Sequence, residues 1–332
     1  MQDALVEMSR HSLTRLMLKR IGIRPPLPLL RAYRPWSDAL LGGKRILVNK
    51  GGLYADRLIP SLQAQKASVD PVMNPNRAST DSHANDSKLP TPGAAYQATL
   101  FDASHFRSIA QLRELYDFFH ASLRRLGSHH RIVILLHVAD PAGIPEQNSV
   151  ISAIEGFARS LAKESGPRGV NVNYIRITPN EDTLERLAPI VHFLLSDYAA
   201  FITGQILDCS GLAALRPIPE LAGSLAGKRV LVTGAAQGIG YSISRRLGEE
   251  GAHVYCLDRP DNKKALQELA QTIDGEAIEV DLGQPDAIRH IAELLQASPA
   301  PLDVLVHNAG ITRDRTLFAM EEKDWDSVMN IN

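Results

Sequence analysis

Twice along the chain, short apolar runs of the kind that form fully buried strands alternate with segments of helical period. The two series open alike, with "GKRILV" at Gly43 and "GKRVLV" at Gly227, an offset of 184 residues between positions 43 and 227. Strands that alternate with helices make a parallel sheet covered on both faces, because the connection between parallel strands must cross over the sheet. In the first series "KRILVN", "RIVILLHVA" and "VNVNYIRIT" read as strands, with helices in "SHFRSIAQLRELYDFFHASLRRLG" and "VISAIEGFARSLAKE". Ile109, Leu112, Tyr116, Phe119, Leu123 and Leu126 fall on one face of the first of these helices, and Gly127 suits its C-terminal stop. The second series runs "RVLVT", a helix from Ile239, "HVYCLD", a helix around Leu266, "EAIEVDL", a helix opened by Pro285, "LDVLVHNAG" and a helix in "EEKDWDSVMNIN". The expected fold is α/β, with two tandem doubly wound parallel-sheet domains.

The 332 residues are enough for two such domains, and 44% hydrophobic with 22% charged residues is ordinary globular composition. The expected organisation is an amphipathic arm and proline-rich spacer over residues 1–40, a first domain over 41–215, a linker over 216–226 and a second domain over 227–332. Asp70 to Gln97, rich in Pro, Asn, Asp and Ser, reads as a long surface loop. A net charge of −1 points to neither nucleic acid nor a membrane surface as partner. No apolar run approaches the roughly 18 residues needed to cross a bilayer. Cys209 and Cys256 are far apart and beside strand-like sequence, which suits buried free thiols in a reducing cytoplasm. No helix carries metal-like His/Cys/acid spacing, so no metal is expected.

The most specific chemistry lies in "RVLVTGAAQGIG", where a strand runs straight into a glycine-rich turn and a helix. This arrangement is the phosphate cradle of a Rossmann-like domain. Gly234 would permit the tight turn, Gly238 the close approach of a pyrophosphate, and Gly240 the packing of helix on strand. The pyrophosphate would lie at the helix N-terminus, where unpaired N–H groups and the helix dipole favour an anion. Asp258 ends the next strand about 20 residues on, where an acid can bind a ribose 2′-hydroxyl. A 2′-phosphate would meet like charge there, with Gln237 in the loop and Arg259 after the acid, so NAD(H) is expected over NADP(H). At the offset of 184, Gly234, Gly238 and Gly240 correspond to Lys50, Tyr54 and Asp56, which predicts that the first domain holds no dinucleotide in this way.

Thr233, Gly234, Gln237, Gly238, Ile239 and Gly240 match the T-G-x-x-x-G-I-G loop of the short-chain dehydrogenase/reductase family, and Asn308, Ala309 and Gly310 match its N-A-G motif. Asp281 and Leu282 resemble the pair that contacts adenine. "NAGITRDRTLFAM" is similar to 3-oxoacyl-(acyl-carrier-protein) reductases, and the layout resembles their high-molecular-weight subgroup, where a degenerate Rossmann/flavodoxin-like domain precedes the ketoreductase domain. The resemblance implies NAD(H)-dependent reduction of 3-oxoacyl thioesters of acyl carrier protein or CoA, in a cytoplasmic homodimer or higher assembly. Two alternatives remain: a non-catalytic nucleotide-binding or interaction protein, and a dehydrogenase acting on another carbonyl or alcohol.

Within the family's Asn-Ser-Tyr-Lys set, Asn332 aligns with the Asn, while the Ser and the Tyr-x-x-x-Lys would lie after it, so the second domain is expected to be incomplete and inactive alone. In the first domain the Tyr and Lys positions fall on Gln147 and Ile151, neither of which can protonate a carbonyl. Trp325, Val328 and Asn332 share a helical face, which puts an amide where an apolar residue is expected. His307 reads as a packing residue at a strand end, and Arg313 and Asp314 as rim charges.

Overall fold

The computed structural model describes residues 39–73, 96–123, 126–138, 144–180, 182–209, 223–296 and 300–332, together with residues 20, 27, 30 and 32. Most of the expected N-terminal arm and proline-rich spacer, residues 74–95 of the expected loop and residues 216–222 of the expected linker lie outside the described residues. The chain divides into two units, Met1–Pro217 and Ile218–Asn332. Each is an α/β unit built on a parallel sheet, one of six strands and one of four.

Unit one contains β1 (Arg45–Lys50), α1 (Ala55–Ala64), β2 (Ser68–Met73), β3 (Tyr96–Asp102), α2 (Leu112–Ser122), β4 (Leu126–His137), α3 (Pro145–Ser165), β5 (Asn171–Ile177), α4 (Thr183–Leu195) and β6 (Ile206–Cys209). The strands lie in the order β2-β1-β3-β4-β5-β6, all parallel. Successive side chains of a strand point to opposite faces. Ile46, Val48, Leu100, Val133 and Leu135 therefore pack beneath α1 and α4, while Leu47, Phe101, Ile132 and Ile134 pack beneath α2 and α3. Burial on both faces is why these strands read as unbroken apolar runs rather than as alternating ones.

The first helix of the sequence reading is shorter and turned. Ile109–Gln111 is a 3-10 turn, α2 ends at Ser122, and Leu126 and Gly127 already belong to β4, so Gly127 is not a helix stop. Leu115, Phe118, Phe119 and Ser122 are buried, whereas Ile109 and Tyr116 are exposed. The adjacent Phe118 and Phe119 both pack on Phe101, with ring centroids 5.0 and 5.3 Å away, and that pair sets the buried face. Tyr116 is left at the surface, its ring stacked on His120. The expected loop is shorter at both ends, because residues 70–73 form part of β2 and residues 96–97 open β3. Pro71, paired in register with Val48, is compatible with a strand because β2 lies at the sheet edge.

Unit two contains β7 (Arg229–Thr233), α5 (Gly238–Glu249), β8 (His253–Asp258), α6 (Lys263–Thr272), β9 (Glu276–Glu279), α7 (Ala287–Gln296), β10 (Val304–Val306) and α8 (Glu322–Ile331). Its strand order is β10-β7-β8-β9. Val230, Val232, Val254 and Cys256 pack against α5 and α6, and Leu231, Tyr255 and Leu257 against α7. In both sheets the first strand lies inside the sheet with the second beside it on one flank. The switch point of such a sheet, where ligands settle, is at the carboxyl end of that first strand.

The two units begin with the same turn, since Gly43 and Gly227 both hold left-handed backbone, at φ 75° and 72°. Gly223 to Gly227 belongs structurally to unit two. Gly223 N–H donates to the Glu250 carboxylate at 3.2 Å, Leu225 N–H donates to the Glu250 carbonyl at 3.0 Å, and Leu225 packs against the core. Cys209 and Cys256 are buried free thiols, and burial pushes the Cys256 thiol up to about 11. Among the described residues no helix is long and apolar enough to cross a membrane, and no group of three or more His, Cys, Asp or Glu could hold a metal ion.

Candidate functional site

The turn between β7 and α5 is shaped by its three glycines. Gly234 and Gly238 take left-handed backbone, φ 67° and 60°, a region glycine enters without penalty. A side chain on Gly234 would also press on the Ala309 backbone, with its Cβ 2.9 Å from that Cα. At Gly238 a Cβ would project into open space, which leaves room for close approach to the backbone. At Gly240 a Cβ would overlap the Gly234 carbonyl and lie 2.5 Å from Asn308 Nδ2, so the helix can sit this close only without a side chain. Gln237 stands at the N-cap with no side-chain cap, and the leading N–H groups of any helix lack intrahelical partners.

The turn is stitched to β10 through Thr233 and Asn308. Thr233 Oγ1 accepts the N–H groups of Asn308 and Ala309, both at 3.0 Å, and Asn308 Nδ2 donates to the carbonyls of Thr233 at 2.9 Å and Gly234 at 3.1 Å. On the other side, the nearly buried Asp258 at the end of β8 accepts Ala236 N–H at 2.9 Å through Oδ2. Its Oδ1 accepts Arg259 N–H and Asn262 Nδ2, both at 2.8 Å. Asp281 closes its own turn by accepting Gly283 N–H at 2.9 Å.

These elements surround a cleft of about 700 Å³. Of the residues singled out in the sequence, Gly234, Gln237, Ile239, Asp258, Arg259, Asp281, Leu282, Asn308, Ala309 and Gly310 line it. Thr233, Gly238, Gly240 and Asn332 do not, and Thr233 and Gly240 act as buried supports behind the wall. Arg313 lines the cleft, and its Nε lies 3.6 Å from the nearly buried Asp324, which also takes Arg315 Nε at 3.3 Å. Asn262, Ser327 and Asn330 line it too and were missed from sequence. Asn262 had a signal, four residues after the acid in "DRPDN"; the other two are polar residues of α8 with no spacing to mark them.

The expectation of an apolar face carrying Asn332 is corrected. Trp325 is 53% exposed and Asn332 is exposed, because none of the described residues covers that side of α8. The amide is nonetheless held at both ends: Asn332 Oδ1 accepts Ile311 N–H at 2.9 Å, and Nδ2 donates to the Ile311 carbonyl at 3.1 Å. It thereby fixes the backbone directly after Gly310. His307 is exposed rather than packed, since β10 is a sheet edge. In unit one, Gln147 and Ile151 lie on α3 as ordinary helix positions.

The model of the short chain dehydrogenase family matches residues 228–332. Among curated proteins, the 3-oxoacyl-(acyl-carrier-protein) reductase of Staphylococcus aureus (strain Mu50) is 38% identical over 109 residues, 32% of this chain and 44% of its own length. The protein of the same name from Thermotoga maritima is 40% identical over 113 residues, covering 32% of this chain and 45% of its own. That from Chlamydia trachomatis serovar D is 37% identical over 118 residues, covering 34% and 47%. The chain spans less than half the length of these relatives.

Proposed function

We propose, from the premise that residues 228–332 belong to the short-chain dehydrogenase family, that unit two binds a nicotinamide dinucleotide and serves the reduction of 3-oxoacyl thioesters. The observation that carries this reading is the uncapped start of α5, opening on a cleft edged by Asp258 on one side and Asn308 to Gly310 on the other. The pyrophosphate would take the N–H groups at the helix start, as an anion there is favoured by unpaired donors and the dipole together. Adenine would rest near Asp281 and Leu282, and the nicotinamide near Asn308, Ala309 and Gly310. Bound there, the cofactor supplies hydride; the chain's own part is to hold and orient it.

We further read NAD(H) as preferred. A ribose 2′-hydroxyl can donate to Asp258, whereas a 2′-phosphate would face a nearly buried carboxylate. Arg259 is the cation that could offset this, and it is exposed. Acyl carrier protein or CoA thioesters, a cytoplasmic setting and a homodimer or larger assembly belong to the same proposal, with unit one as a scaffold without a cofactor site.

The second reading is a unit that binds the nucleotide without reducing a substrate, and it rests on the same cleft. Titration of NADH and NADPH into the chain, followed by nucleotide fluorescence, tests binding. NADH oxidation with acetoacetyl-CoA tests catalysis. Binding without turnover supports the second reading, and no binding of either nucleotide removes both.

A further inference from the structure

A carboxylate offers about four acceptor positions, and three of those on Asp258 are already filled. Two of the donors, Ala236 N–H and Arg259 N–H, are backbone groups fixed by the path of the chain. The third, Asn262 Nδ2, is a side chain, and it completes Oδ1 so that the one open position lies on Oδ2. Asn262 also lines the cleft beside Asp258 and Arg259. It sits at the N-cap of α6 but makes no side-chain cap hydrogen bond, so the helix does not depend on its amide.

We propose that Asn262 is a positioning residue that determines which ribose the cleft accepts. This rests on reading the cleft as a dinucleotide site. With its amide in place, the carboxylate is locked with a single acceptor position, which matches the single donor of a 2′-hydroxyl. A 2′-phosphate has only acceptors to offer and finds the locked carboxylate unable to turn away. Without the amide the carboxylate keeps one backbone donor on each oxygen, and the position that opens on Oδ1 is taken by water. A second acceptor position blurs the match to a single hydroxyl, and a water held there can donate to a phosphate. Asn262 thus acts through Asp258, and its signature is a change in the ratio of two affinities rather than in both together.

The test is the binding of NADH and NADPH to the full chain, unsubstituted and as N262A, N262D and N262S, with thermal melts alongside. N262A is expected to weaken NADH about fivefold, the scale of one ordinary net hydrogen bond, while NADPH stays within about twofold. N262D, which sets a second carboxylate against Asp258, is expected to weaken NADH more than N262A at neutral pH. N262S keeps a hydroxyl donor and carries the same comparison should N262A not fold. An NADPH-to-NADH affinity ratio in N262A within twofold of the unsubstituted chain overturns the proposal, whether both affinities fall together or neither moves. If the unsubstituted chain binds neither nucleotide, the reading of the cleft fails and this inference with it. If it prefers NADH and N262A keeps that preference, this inference alone fails.

Discussion

The two units make the same stitch between neighbouring strands and put opposite chemistry at its end. In unit two Thr233 Oγ1 accepts backbone N–H groups from the end of β10; in unit one Asn49, its counterpart at the offset of 184, accepts Asp102 N–H at the end of β3. The side chain that follows then differs. Asn308 donates its amide to the loop carbonyls and leaves the start of α5 open. The fully buried Asp102 instead accepts Tyr54 N–H at 2.8 Å and Ala55 N–H at 2.7 Å through Oδ2, and Ser104 N–H at 3.0 Å through Oδ1. An acid at this place supplies from within the chain the negative charge that a helix N-terminus otherwise takes from a ligand. Gly52 is part of the same closure, because a Cβ there would overlap the Asp102 carboxylate. The helix start in unit one is therefore met by its own side chain, and the two loops differ at this place by an amide against a carboxylate.

The largest effect that could break this comparison is expected at Gly240. G240A should destabilise unit two by about 4 kcal/mol, since the new Cβ meets backbone rather than a movable side chain. NADH binding should vanish with it. At the corresponding position of unit one, Asp56 is exposed and only loosely paired with Lys50 at 3.8 Å, so D56A should shift stability by less than about 0.5 kcal/mol. Urea unfolding of the two variants checks both, and equal responses would mean the loops are built alike after all. Next in size, D102A strips the partner from three N–H groups in unit one and should cost about 3 kcal/mol there. NADH affinity should stay unchanged.

How far the sequence revealed this contrast depends on which interactions are local. The open loop was legible because its glycines, the strand before and the helix after are contiguous, and the burial of strands on both faces leaves an apolar run that can be read directly. The closed loop was not. Tyr54 and Asp56 pointed to a non-binding turn, but the group that fills it, Asp102, lies 48 residues from Tyr54 and reaches it only through the pairing of β1 with β3. Helices α1 and α4 were obscured by Pro60 and Pro189 inside them, residues that normally end a helix. Asp258 was found by its spacing from the glycine loop, whereas the amide bonded to it, Asn262, is marked only by standing four residues after the acid.

A substitution that exchanges the two chemistries sharpens the comparison. N308D should convert unit two toward the closed form. It replaces two donated hydrogen bonds by a carboxylate facing the Thr233 and Gly234 carbonyls, which repels the loop that shapes the proposed phosphate site. A loss of about 100-fold in NADH affinity is expected, near 2.7 kcal/mol. Retention of affinity within threefold would show that the residue at this position does not decide between the two loops.

The smallest expected effect separates the units by pH. In unit one, burial holds His130 down at about 3, helped by the positive charges of Lys44, Arg131 and Arg168 against a raising contact with the Tyr96 carbonyl. The ring is neutral, with Nδ1–H donating to the Tyr96 carbonyl at 2.8 Å and Nε2 accepting from Thr99 Oγ1 at 2.8 Å. Because the folded value is depressed below the ordinary 6.5, the stability is in place above that pH and is lost as pH falls toward about 3. In unit two the sign is reversed: the Cys256 thiol is raised by burial from 9.0 to about 11, so stability is in place below 9.0 and is lost as pH rises toward about 11. Each slope is on the order of 1 kcal/mol per pH unit within its window. Hydrogen exchange followed peptide by peptide at pH 5.5 and 9.5, corrected for intrinsic rates, should show β4 loosening on the acid side and β8 on the alkaline side. H130Q and C256A should each flatten their own limb and leave the other untouched, because each residue lies in the core of a different unit.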